Sequence, residues 1–190
     1  MGTREKRGML GHYAVAFALL GLIVAGVFLY EPLKLEYAIY RVHRTEYPGL
    51  ADKWLMCLTN AACRGNRRAM ETAVDYGYVI PAGPGCNTAT PIFSLLLTAQ
   101  PELYFDVLSG REDMDVLAIL TGSADARLGG RGISPSDKGL MVSLHEDTFH
   151  TWAQSDKPWV ARAGRQGLEF LRRRFAKELD TAKQPAPPSP

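Results

Sequence analysis

His145 and His150 stand five residues apart in the stretch HEDTFH, with Glu146 and Asp147 between them. Imidazoles and carboxylates gathered this closely are the groups that a metal centre or a proton-transfer pair uses. Two histidine ligands on one helix need a spacing of three or four, because five turns the rings onto different faces. The stretch is therefore expected to be a solvated polar turn, and no metal site is expected. SPSDK and SDKP bring serine close to lysine, but neither has the S-x-x-K spacing of a serine–lysine nucleophile, and helix capping accounts for both. The sequence has no nucleophile elbow, no phosphate-binding glycine loop and no H-E-x-x-H zinc motif. The expectation is a non-enzymatic protein with no catalytic residues and no cofactor.

Cys57, Cys63 and Cys86 are too few and too irregular for a disulfide scaffold, and they lack the C-x-x-C spacing of a zinc site. Arg64, Arg67 and Arg68, and the run Arg172, Arg173 and Arg174, are short basic clusters. They read as solvated faces, anionic lipid being the other surface such runs can touch. With 22 basic against 20 acidic residues the net charge is +2 and the sequence pI is near 8.4. That is far from the basic excess of a nucleic-acid binder, so nucleic acid is not expected as a partner. Apolar residues make up 46% of the 190, enough for one domain with a core and an accessory segment.

Residues 13–29, YAVAFALLGLIVAGVFL, carry no charge, and His12 and Tyr30 flank them. As a helix, residues 12–30 extend roughly 28 Å at ~1.5 Å per residue, close to the ~30 Å hydrocarbon core of a bilayer. The run ends in GVFLYEPL, without a small-residue cleavage site, so an uncleaved transmembrane helix is expected rather than a signal peptide. Arg4, Lys6 and Arg7 precede it. They favour a cytoplasmic N-terminus in the inner (plasma) membrane, with the following domain periplasmic or extracellular. Ala14, Ala18, Gly21 and Ala25 form a stripe of small residues that could let two spans pack as a homodimer.

The rest of the chain reads as all-α. Residues 1–11 form a basic tail, 12–30 the span, 31–50 a juxtamembrane helix and linker, 51–182 a helical domain and 183–190 a disordered tail. Pro32 suits the first turn of a new helix, with Leu35, Ile39 and Val42 on its apolar side. Helices are expected over 51–64 and 67–76, ended by Gly65-Asn66 and Gly77. VIPAGPGCN is a turn, and Thr90-Pro91 restarts a helix that breaks again at Gln100-Pro101. A helix over 112–121 is closed by Gly122, and SPSD at 134–137 is another start. One long helix over 158–181 is expected to bury Val160, Leu168, Leu171, Phe175 and Leu179, leaving Arg172, Arg173, Arg174 and Lys177 mostly solvated.

Short helix pairs separated by Gly and Pro turns suggest a repeat. Ala62-x-x-Gly65-Asn66, running through Met70 and Ala73-Val74 to Gly77, resembles the A-x-x-G…V-x-x-L-L-x-x-G segment of ankyrin repeats. Gly122-Ser-Ala124-Asp125-Ala, leading to Gly132-x-Ser134-Pro135, resembles their finger, and Thr90-Pro91-Ile92 resembles the T-P-L that opens an inner helix. The period departs from the ~33 residues of that family. Thr90 and Ser134 are 44 apart, and Phe93 stands where the family has histidine. The resemblance implies a helical-hairpin array that binds another protein, as an inhibitor or immunity-type partner would. Its turns and fingers would contribute Val79, Ile80, Pro81, Asp125, Arg127 and Arg131. It also implies that Cys86 returns near Cys57, so that Cys57 and Cys86 would pair in an oxidising compartment. The competing classes are a structural subunit of a membrane complex and a small membrane-anchored enzyme.

Overall fold

The computed structural model describes the backbone of residues 3–44, 48–79, 89–124 and 138–182. Among them every regular element is a helix. The first, α1 (Thr3–His43), is about 60 Å long at ~1.5 Å per residue, and it includes a stretch long and apolar enough to cross a membrane, none of it buried in the molecule. The expected restart at Pro32 does not occur, and α1 continues through it. Proline's fixed φ is itself helical, so the interruption is limited to its missing N–H and the ring's crowding of the preceding turn. Beyond Pro32 the expected stripe is present: Leu35 is half-buried, and Ala38, Ile39 and Val42 are buried at helical spacing.

That stripe packs on α2 (Pro48–Cys63) and, more lightly, on α3 (Arg67–Val79). Leu55, Leu58 and Ala62 from α2 meet Ala69, Met70, Ala73 and Val74 from α3 in the core. Thr59 and Thr72 are buried with them, and each hydroxyl donates 2.8 Å to the carbonyl four residues back. α3 runs past Gly77, where a stop was expected. Next come α4 (Ala89–Ala99) and α5 (Pro101–Ser109), separated by Gln100 alone. Pro101 opens α5, where its missing N–H costs nothing. α4 begins one residue before Thr90, leaving Pro91 within the first turn. α4 lies against α2, α3 and α6 (Asp113–Ala124), and α5 against α3 and α8 (Pro158–Arg174).

The segment expected as a polar turn is a helix, α7 (Lys138–Ala153). It buries Met141, Val142, His145 and Phe149, and packs most extensively on α8 and also on α6. The two helices approach backbone to backbone at Gly164, where a Cβ would run into Phe149, Trp152 and Ala153. Phe105, Phe149 and Phe170 form an aromatic centre, with centroids 4.8 Å apart for Phe105–Phe170 and 5.9 Å for Phe105–Phe149. The expected long C-terminal helix breaks at Phe175 into α8 and α9 (Ala176–Ala182). Leu168, Leu171, Phe175 and Leu179 are buried as expected.

Candidate binding groove between the long helix and the first hairpin

Local sequence builds the α2–α3 turn. Gly65 has φ +89°, a left-handed conformation that glycine adopts without strain. Its N–H donates 2.8 Å to the Ala62 carbonyl, and the Asn66 N–H donates 3.1 Å to Ala61, the paired bonds of a Schellman motif. Asn66 also caps the next helix, its Oδ1 accepting the Ala69 N–H at 2.9 Å. From the facing hairpin, Gln100 Nε2 donates 2.9 Å to the last carbonyl of α2, at Cys63.

This tight turn brings the end of α2 beside α1 where its apolar run stops. The Arg64 guanidinium lies 3.9 Å from the Glu31 carboxylate, as does the Lys34 ammonium. Four residues on, Arg68 pairs with Glu36, and Arg67 is held by Glu71 and Asp106. Two grooves of similar size flank this seam. One, about 640 Å³, is lined by Pro32, Leu35, Cys57 and Ala61 with the charges of Glu31, Glu36, Arg64 and Arg68. The other, about 630 Å³, runs over Trp54, Met56 and Cys57 and carries Lys34, Lys53 and Arg64 with only Glu31 opposing them. Met56 is 49% exposed there. Trp54 is held edge-on by Tyr37 at 4.9 Å, with the Lys53 ammonium 4.9 Å over its ring. Burial on the α2 side pushes the Cys63 thiol above its ordinary range, which leaves it a weak nucleophile.

A second charged cluster joins distant elements. Asp113 accepts from Lys138 at 2.6 Å and from Arg174 at 2.8 Å, and Lys138 reaches Glu178 at 2.6 Å. Arg174 also donates to the carbonyls of Leu108, Ser109 and Arg111. Burial pushes the Asp113 carboxyl up, but the hydrogen bonds from Lys138 and Arg174 outweigh it and hold the group below the usual range. Lys138 is raised by its bonds to Asp113 and Glu178, and Glu178 is lowered by Lys138. Every charge is matched, so the cluster fastens α6, α7, α8 and α9 together and leaves no group to react.

The histidines separate as their spacing demands. His145 is fully buried, its ring stacked on Phe149 at 6.4 Å and its Nε2 3.4 Å from Thr121 Oγ1. His150 is exposed beside Glu146 at 3.9 Å. Among the described residues no three His, Cys, Asp or Glu side chains converge as metal ligands would. Arg174, expected in solvent, is instead the hinge pin of the charged cluster.

Of the residues expected at a partner surface, Val79 is the last residue of α3, while Ile80, Pro81, Asp125, Arg127 and Arg131 lie outside the described residues. Cys57 sits half-buried on α2, and Cys86, its expected partner, also lies outside them. Sequence reasoning noticed Arg64 and Arg68 but not the groove, because Lys34, Lys53 and Arg64 meet only when α2 folds back on α1. No protein-family model, curated protein or solved structure matches the chain.

Proposed function

We propose that the chain is a single-pass, membrane-anchored protein-interaction module without enzymatic activity, held in the inner (plasma) membrane by residues 12–30. The observation that carries this reading is the two-part burial of α1. Residues 15–33 are exposed throughout, whereas Ala38, Ile39 and Val42 of the same helix belong to the core. The charge-free part of that exposed stretch, residues 15–30, is costly in water at roughly 25 cal/mol per Å² of apolar surface. It suits hydrocarbon, where its backbone groups are already bonded internally. Arg4, Lys6 and Arg7 before the span favour a cytoplasmic N-terminus with the helical domain on the opposite side.

The helix pairs support a divergent ankyrin-like array over α2 to α5. α2 lies against α4 and α3 against α5, as neighbouring hairpins of a solenoid stack. In that reading the partner is another protein, gripped through Val79, Ile80, Pro81, Asp125, Arg127 and Arg131. Alkaline extraction, reporter fusion and crosslinked pull-down from native membranes test the three parts. The expected results are retention in the membrane pellet, a C-terminal reporter active only outside the cytoplasm, and a crosslinked partner lost when Asp125, Arg127 and Arg131 become alanine. Release by alkali would sink the anchor, and a cytoplasmic reporter would sink the orientation. The unbroken passage of α1 from span to core favours a second reading, a structural subunit of a membrane complex. Replacing residues 12–30 with an unrelated apolar helix abolishes function in that case and preserves it for a binding module.

A further inference from the structure

From the charge and position of the groove between α1 and α2, we propose that it binds the phosphate headgroup of an anionic phospholipid, with Lys34, Lys53 and Arg64 as the cationic contacts. This rests on the anchor reading above, because the occupant is a lipid of the bilayer that α1 crosses. Three observations converge on it.

The first is height. Glu31 is the first charged residue after the apolar run, and Arg64 lies 3.9 Å from it. A helix spanning the hydrocarbon with residues 12–30 therefore sets Arg64 in the headgroup layer. Lys34 is one helical turn farther out, roughly 5 Å along the axis.

The second is charge. The groove is lined by three cations and one carboxylate, leaving two positive charges uncompensated, and the two contacts to Glu31 are loose at 3.9 Å. The neighbouring groove has Arg64 and Arg68 against Glu31 and Glu36 and is balanced. The first groove, not the second, suits an anion.

The third is the apolar and aromatic surface beside those cations. Met56 is 49% exposed, Trp54 and Tyr37 pack edge to face, and the Lys34 ammonium sits 5.6 Å over the Tyr30 ring. Aromatic rings with cationic neighbours are the side chains that settle at a membrane interface.

Trp54 is the reporter in the test. The full chain, with Trp152→Phe and Trp159→Phe, is reconstituted into phosphatidylcholine vesicles containing doxyl-labelled phosphatidylglycerol or doxyl-labelled phosphatidylcholine. Flotation confirms incorporation. Quenching of Trp54 is expected to show a preference for the anionic lipid of roughly thirtyfold, the scale set by two cations near an anionic surface. Lys34→Gln/Lys53→Gln/Arg64→Gln brings the two lipids to parity. Arg165→Gln/Arg172→Gln/Lys177→Gln, which removes the same charge from exposed positions on α8 and α9, leaves the preference intact. Glu31→Gln strengthens it by removing the opposing carboxylate. Equal quenching by both lipids in the unaltered groove, or a preference that survives the groove variant, overturns the proposal. A chain that fails to float with vesicles of either composition overturns the anchor reading, and the headgroup site falls with it.

Discussion

The His145 ring has no exposed surface, lies across Phe149, and places Nε2 3.4 Å from the Thr121 hydroxyl. Its neighbours one turn before and one turn after it on α7, Met141 and Phe149, are also buried, so the imidazole fills a position in the core stripe. Truncating it leaves a cavity, while the Thr121 hydroxyl keeps its 2.8 Å bond to the Leu117 carbonyl. His145→Ala is expected to lower stability by about 2–4 kcal/mol, read from urea unfolding in detergent. His150→Ala, on the exposed face, changes stability by less than about 0.5 kcal/mol. Equal, small effects at both positions would contradict the burial of His145. The histidine also explains why α7 was not legible in the sequence. Met141, Val142, His145 and Phe149 have helical spacing, but a polar residue at the centre of the buried stripe made HEDTFH read as solvated.

Turns and ion pairs hold the helices in place, and the two devices respond to different perturbations. At Gly65 a Cβ would meet no neighbour, so any cost of substitution comes from the backbone at φ +89°. Gly65→Ala is expected to destabilise by about 1–2 kcal/mol and Gly65→Asn by clearly less, since asparagine tolerates the left-handed region. Matching losses in thermal unfolding would show that packing, not conformation, fixes the residue. The cluster of Asp113, Lys138, Arg174 and Glu178 responds to pH. Asp113 and Glu178 are depressed in the folded chain. Their contribution is complete above the unfolded carboxylate values, about 4, and is lost as the pH falls through the lower folded values. Lys138 is raised, so its contribution is complete below the unfolded lysine value, about 10.4, and is lost as the pH rises through the higher folded value. The contribution of this cluster should be flat between these limits. The advantage of the native chain over Asp113→Asn/Glu178→Gln, present at neutral pH, should vanish in strong acid. An advantage that persists there would mean the cluster acts through packing alone.

On the scale of the whole molecule, α1 joins a stretch long and apolar enough to cross a membrane to a stripe that belongs to the core, and only part of that was legible in the sequence. The charge-free run 13–29 and the stripe Leu35, Ile39 and Val42 could each be read locally, as could the helix starts at Arg67, Pro101 and Pro158. Proline at 32 suggested two helices, because a sequence does not reveal that a helix whose Ala38, Ile39 and Val42 pack on the domain can continue unbroken through the proline that precedes them. Contacts of long separation were equally hidden: Glu31 with Arg64, Glu36 with Arg68, and Asp113 with Arg174. A pair of truncations separates the two roles of α1. Removing residues 1–29 discards exposed apolar surface and leaves Ala38, Ile39 and Val42 on the domain. That shorter chain is expected to stay in solution without detergent and to unfold at nearly the temperature of the full chain. Removing residues 1–44 takes the stripe away, uncovers the face of α2 that packs on it, and forfeits about 4 kcal/mol from Ile39 and Val42. Against a typical stability of about 5–15 kcal/mol, that loss should leave the second truncation aggregated or broadly melting. If both chains were equally soluble and melted alike, residues 31–43 would be a tether rather than part of the core. The rigid link from bilayer to groove, on which the headgroup site depends, would then be lost.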